Sequence, residues 1–281
     1  MRSTMDGIYE HRERVLGYYA ESQLLGVFLY GSQNYGINTA KSDVDTKAII
    51  VPNMKDLVLD KPVSRELQFS NGEHCEIKDI REIVKMFSKQ NINFVEILFT
   101  EYSWVNPKYN HIWKKYFVNN AEKIAHMNPR YTINSICGQA INTLRRNPGD
   151  GKAYANGVRL YSFLKNYLKG VPYKTCININ SQSENFANRL IGYKLGSIKP
   201  DSYDVEELIE KFRTLEEDAG FYPNTPNPEA VDIMKDGLMA LITNERNDFD
   251  FYKLKATDPC ETCGMAYGSD YCIKYCPHEG K

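Results

Sequence analysis

No apolar run in this chain approaches the ~20 residues needed to cross a bilayer as a helix, so a membrane-spanning protein is not expected. The opening residues, MRSTMDGIYEHRERV, lack the apolar core of a secretion signal, and a cytoplasmic location is the expectation. No internal repeat is visible, and from Pro107 onward no segment reads as a strand. Neither sign of charge is in excess: 35 Lys and Arg oppose 36 Asp and Glu, a formal net charge of −1. Any polyanionic partner must therefore be met by a local patch and not by the charge of the whole chain. What is present describes a soluble globular protein, 42 % hydrophobic and 25 % charged. Its 281 residues suffice for two compact domains or one large one.

The most informative stretch lies near the N-terminus. An apolar run, LLGVFLY (24–30), ends in Gly31-Ser32, and ten residues later Asp43-Val44-Asp45 opens a second run that closes at Pro52. A Gly-Ser turn after a strand can bring bare backbone up to a polyphosphate. Side chains alternate along a strand, so Asp43 and Asp45 share one face while Val44 points into the core. Two carboxylates side by side repel unless a cation neutralises them, and hard oxygen donors suit Mg²⁺ or Mn²⁺ with bound phosphates. A two-metal phosphoryl transfer calls for a third carboxylate. Glu76 is the candidate, with Glu73 and Asp79 as competitors near the strand ends. Lys47 shares the face of the aspartates and would contact a triphosphate or pair with either carboxylate.

Residues 5–22 read as an amphipathic helix. Asn71-Gly72 between alternating runs at 65–69 and 73–77 predicts a hairpin, and Asp79 is placed to cap a helix over 80–90. Helices are expected at about 108–126, 130–146, 151–168, 182–194, 203–218 and 228–245. The fold expected is α+β: a small mixed-sheet catalytic domain (1–106), a helical domain for nucleotide and acceptor (107–250) and a cysteine-rich tail (251–281). Charge is distributed unevenly. Residues 141–174 carry seven bases against Asp150, and residues 201–218 carry eight acids against two bases. Within the basic segment, Lys152, Asn156 and Arg159 fall on one helical stripe suited to a triphosphate or an RNA backbone. The bland alternative is a pair of solvated faces.

Four of the seven cysteines lie in the tail, as Cys260-x-x-Cys263 and Cys272-x-x-x-Cys276 with His278 just beyond. This spacing fits structural zinc, with His278 as the substitute ligand. Disulfides are the alternative in an oxidising compartment, and the run lacks the close spacing of a ferredoxin cluster. Cys75, Cys137 and Cys176 read as ordinary buried residues.

GSQNYG (31–36) followed by SDVD (42–45) resembles the DNA polymerase β-type nucleotidyltransferase superfamily. Within it the chain is most similar to the RNA repair pathway DNA polymerase β family of predicted nucleotidyltransferases. The likeness runs weakly through NINFVEILF (91–99) and the 152–160 segment and fades after about residue 196. It implies a Mg²⁺-dependent transfer of a nucleoside monophosphate from an NTP, ATP or CTP, to an acceptor such as tRNA or an RNA end. It implies that Gly31, Ser32 and Tyr35 meet the nucleotide, that Glu76 is the third acid, and that Arg159 carries over. Where the family has Arg-Gly after the aspartates this chain has Lys47-Ala48, and Asn156 replaces a histidine, so roles tied to those residues do not transfer. Rival readings are AMP transfer to a protein or small-molecule hydroxyl, and a non-catalytic nucleic-acid-binding module.

Overall fold

A computed structural model describes residues 3–39, 42–179 and 183–257, with side chains to residue 244. It is α+β, built on one mixed five-stranded sheet and twelve α-helices among the described residues. Helix α1 (Thr4–Leu16) starts at a capping box, in which the Ser3 hydroxyl accepts from the Asp6 amide and the Asp6 carboxylate accepts from Ser3. It stops at Gly17, earlier than the periodicity predicts, and a 3₁₀ turn (Glu21–Gln23) leads into the sheet. Strands β1 (Leu24–Tyr30) and β2 (Asp45–Ile50) pair antiparallel, setting Tyr30 opposite Asp45 and Phe28 opposite Lys47. After α2 (Met54–Val58), β3 (Arg65–Gln68) and β4 (His74–Asp79) form the expected hairpin, with Gly72 at φ 89°. Strand β4 lies parallel to β2, with Lys47 opposite Glu76. Asp79 caps α3 (Ile80–Ser88) through the Arg81 amide.

Helix α4 (Ile92–Val95) is capped by Asn91, and β5 (Ser103–Val105) completes the strand order β3-β4-β2-β1-β5. Three residues are too few for alternation to reveal β5 in the sequence. The expected helix at 108–126 is two, α5 (Pro107–Tyr116) and α6 (Ala121–Ala125). Between them the Asn120 amide donates to the carbonyls of Lys115 and Tyr116 and ends α5. Helices α7 (Pro129–Arg146), α8 (Gly151–Tyr167), α9 (Tyr173–Ile177), α10 (Glu184–Leu195), α11 (Ser202–Asp218) and α12 (Pro228–Thr257) follow. No helix among the described residues is long and apolar enough to cross a membrane.

Two apolar clusters flank the sheet. On one face Val27, Leu29, Ala48, Ile50, Cys75 and Ile77 pack against Ile8 and Val15 of α1. On the other, Leu25, Phe28 and Ile49 join a larger cluster that runs through α3 and α5 into α7, α8, α10 and α11. The sheet face that carries Tyr30, Asp45 and Lys47 therefore looks toward the helices. There α8 and α10 meet so closely that a Cβ on Gly151 would lie 2.1 Å from the Tyr193 carbonyl oxygen. Gly151→Ala must push the two backbones apart, and a destabilisation of about 1–3 kcal/mol is expected in urea unfolding. Gly138→Ala, whose Cβ would meet nothing within 4 Å, is the control and should be neutral or slightly stabilising. Equal midpoints for the two variants would show that α8 and α10 do not pack in this way.

Candidate functional site

The chain leaves β1 through a left-handed residue, Gly31 (φ 89°), a conformation that L side chains rarely adopt although space for one is open. The turn is tied by Asn34 N–H to the Gly31 carbonyl (2.9 Å) and by the Asn34 side-chain amide to the Leu29 carbonyl (3.1 Å). The chain returns at Asp43, which lies two residues ahead of β2 and not on a strand with Asp45 as alternation predicts; both line the same cavity nonetheless. Turn, aspartates and helices together enclose a cavity of about 420 Å³. From the sheet side it is lined by Tyr30, Gly31, Ser32, Asp43 and Asp45; from α8 by Lys152, Asn156 and Arg159; and from α10 by Lys194 and Leu195. Tyr35 lines it as well. Residues far apart in sequence, Gly31, Ser32, Tyr35, Asp43, Asp45, Lys152 and Arg159, are thus brought to one place.

The two aspartates are held from behind. Val44, between them, is buried in the cluster under α1, and its amide donates to Glu73 (3.1 Å). Glu73 contacts His11 of α1 (3.3 Å), whose other ring nitrogen lies 2.8 Å from the Thr46 hydroxyl. Glu73 therefore faces away from the cavity, and Asp79 is taken by α3 and Arg81. On the cavity side His74 Nδ1 lies 2.8 Å from Asp45 Oδ1, and its Nε2 meets the Tyr30 hydroxyl. Burial raises the Asp45 pKa above the usual carboxylate value and the Asp43 charge adds to this, while His74 and Lys152 oppose it.

One ladder step along, Lys47 is 4 % exposed, pairs with Glu76 and lies over the Tyr30 ring at 4.1 Å. Glu76 also accepts from Lys78 (2.7 Å). Burial disfavours its charge, but Lys47 and Lys78 prevail and hold its pKa below the ordinary value. Neither Lys47 nor Glu76 lines the cavity. Among the described residues no three His, Cys, Asp or Glu side chains form a group able to hold a metal unaided. A cation at Asp43 and Asp45 would complete its shell with water and phosphate oxygens, as Mg²⁺ commonly does. The proposed zinc ligands Cys260, Cys263, Cys272, Cys276 and His278 lie outside the described residues.

Beneath the turn sits a fully buried carboxylate, Glu96. Its Oε1 accepts from the Tyr35 hydroxyl (3.0 Å) and the Gly31 amide (3.4 Å). Arg159, 2 % exposed, lies 3.8 Å above the Tyr35 ring and donates twice to Asn156 (3.2 and 2.9 Å). Among the described residues its Nη1 is buried without a hydrogen-bond partner, and so is Glu96 Oε2. Burial pushes the Glu96 pKa up to about 7, against the pull of Arg159, Tyr35, Lys47 and Gly31. Lys194 ties α10 to the turn by donating to Ser42 Oγ (3.0 Å) and the Ile37 carbonyl (3.3 Å), and burial and Lys152 lower its pKa. His74 and Lys194 belong to no local pattern that marks them as site residues, while Glu96 is the glutamate of the NINFVEILF stretch (91–99) and carries no site role in the sequence reading. Only the fold gathers them.

No protein-family model matches the chain, and no curated protein matches it significantly.

The Glu96 pKa is raised on folding, so the folded form holds its proton where the unfolded chain has released it. Its stabilising contribution is full below about 4.5 and is lost as pH rises to about 7. Urea unfolding of wild type and Glu96→Gln across this window should show wild type losing ground to the variant as pH rises. A constant difference between them would remove Glu96 as the titrating group.

Proposed function

We propose that this protein is a Mg²⁺- or Mn²⁺-dependent nucleotidyltransferase that moves a nucleoside monophosphate from an NTP, ATP or CTP, to an acceptor hydroxyl, with RNA as the acceptor. One observation carries the reading: a single cavity sets Asp43 and Asp45 beside the Gly31-Ser32 turn and opposite Lys152, Arg159 and Lys194. Two carboxylates facing three cations match a metal-bound triphosphate, which presents positive charge to the first group and negative charge to the second. The resemblance of GSQNYG and SDVD to the polymerase β-type superfamily points the same way.

The donor set at the aspartates fits a hard divalent cation, since both side chains are oxygen donors and the Asp45 pKa is already raised by burial and by Asp43. Bound there, such an ion would supply positive charge to the phosphate under attack. The chain's own residues do the rest. Arg159, stacked on Tyr35 and steadied by Asn156, would offer its unpartnered Nη1 to a phosphate oxygen without paying much entropy to be positioned. Lys152 and Lys194, on adjacent helices, would hold the remaining phosphates. His74 stands beside Asp45, and Glu73 with His11 fixes the backbone at Val44 between the two aspartates. Arg145, Arg146, Lys165 and Lys169 are exposed and would meet an RNA backbone. Within the acidic run, Glu207 pairs with Lys211 and Glu210 with Arg213 inside α11.

Incubation with labelled NTPs, Mg²⁺ and total cellular RNA tests the reading. Asp43→Ala or Asp45→Ala should abolish labelling with the fold retained, and near-normal transfer in either would end it. Label on protein in place of RNA would move the acceptor to a protein hydroxyl. Lys152→Ala with Arg159→Ala should weaken NTP binding on the order of a hundredfold and flatten the salt dependence of RNA binding. Glu76→Gln separates two-carboxylate from three-carboxylate chemistry. With Glu76 held by Lys47 and Lys78, a loss of transfer under about tenfold is expected, and a loss of orders of magnitude would make it the third ligand.

A further inference from the structure

Two cavities border the turn that begins at Gly31: one of about 260 Å³ lined by Asn34 and Gly36, and the larger one that holds the aspartates. In the larger, most uncharged polar side chains are already bonded within the protein. Tyr30 is bonded to His74, Tyr35 to Glu96, Asn156 to Arg159 and Ser42 to Lys194. Two amides are not. Asn93 of α4 and Gln139 of α7 line this cavity and are half-buried. Among the described residues neither side-chain amide makes a hydrogen bond. Nor does either serve its helix as a cap. The Asn93 backbone N–H donates to the Asn91 side chain (3.1 Å), and the Gln139 carbonyl accepts from the Thr143 hydroxyl (2.8 Å).

The charged groups of the cavity neighbour one another, since Asp43 and Lys152 each act by charge on both Asp45 and Lys194. Helices α4 and α7, which pack together, bring only the two amides to the wall. A nucleoside triphosphate has the same division, with charge at its phosphates and neutral donors and acceptors along the edge of its base. A carboxamide holds a donor and an acceptor side by side, the pattern with which Asn and Gln read base edges. Leu195 also lines the cavity and is 61 % exposed, but it offers packing alone and adjoins Lys194. We propose that Asn93 and Gln139 hold the hydrogen-bonding edge of the nucleobase and set which NTP is accepted. This rests on the nucleotidyltransferase reading and adds to it the residues that choose the donor.

Titration calorimetry of the full chain in Mg²⁺ without acceptor, using the four NTPs and inorganic tripolyphosphate, tests the assignment. Wild type should bind the four NTPs unequally. Gln139→Ala and Asn93→Ala should each weaken the preferred NTP about tenfold and narrow the difference among the four. Both should leave tripolyphosphate affinity unchanged, because that probe has no base. Each substitution keeps the backbone bonds and sets a good helix former in a helix, so both variants are expected to fold. Lys152→Ala should weaken tripolyphosphate and every NTP alike. Equal affinity of wild type for the four NTPs would overturn the proposal, and so would an undiminished preference in either amide variant. Tripolyphosphate weakened as much as NTP by the amide variants would make them phosphate contacts, and a loss confined to Leu195→Ala would move the base to α10; either result rules the assignment out. Failure of the nucleotidyltransferase reading looks different: neither tripolyphosphate nor any NTP would bind wild type, and the base assignment would fall with it.

Discussion

Glu96 is the residue on which the site's geometry turns. Its carboxyl group reaches the Gly31 amide at the end of β1 and the Tyr35 hydroxyl further along the turn. Tyr35 in turn supports the Arg159 guanidinium from α8. Sheet, turn and helix are thus joined through one buried acid and one aromatic ring. Burial of an acid is costly, and the cost appears as a pKa pushed up to about 7. The group can lower that cost by holding its proton, by keeping its two hydrogen bonds, or by acquiring a cationic partner.

The larger cavity is polarised and incomplete. Asp43 and Asp45 repel each other on one wall, and Arg159 with Lys152 and Lys194 crowd the other. Local stability is given up on both sides, since Asp45 is pushed toward its neutral form and Arg159 keeps a buried nitrogen without a partner. Such arrangements persist where a ligand bearing both charges completes them. The fold tolerates the strain because the opposite face of the sheet is conventional. There α1 closes an apolar layer, and the buried His11, Thr46 and Glu73 fasten the backbone that presents the aspartates.

The division between the α1 face and the helical face also decides which carboxylates are available. Glu73, Glu76 and Asp79 lie within seven residues of one another, and sequence alone could not choose among them. Strand alternation separates Glu76 from its neighbours, and Glu73 turns toward α1. Pairing with β2 then sets Glu76 opposite Lys47, which claims it. A lysine that reads in sequence as a phosphate contact or a partner of the aspartates is thus paired with Glu76, the candidate for a third carboxylate.

The sequence by itself determined the α+β class, the β1–turn–β2 unit, the β3–β4 hairpin, the cap of α3 and most of the long helices. These depend on periodicity, capping residues and glycine conformation, all of which act within a few residues. It also placed Asp43, Asp45, Lys152 and Arg159 among the site candidates, because close spacing of like groups and a shared helix face are local properties, although Asp43 lies ahead of β2 and not on it. It could not place β5 or the break between α5 and α6, where short elements take their stability from neighbours. It could not find His74 or Lys194 as parts of the site, nor the place of Glu96 beneath the turn, nor the engagement of Lys47 with Glu76. Those are decided by contacts across tens of residues, by which strands pair and which helix packs over which face. Only the tertiary structure brings such groups within reach of one another and removes the water that would otherwise satisfy them.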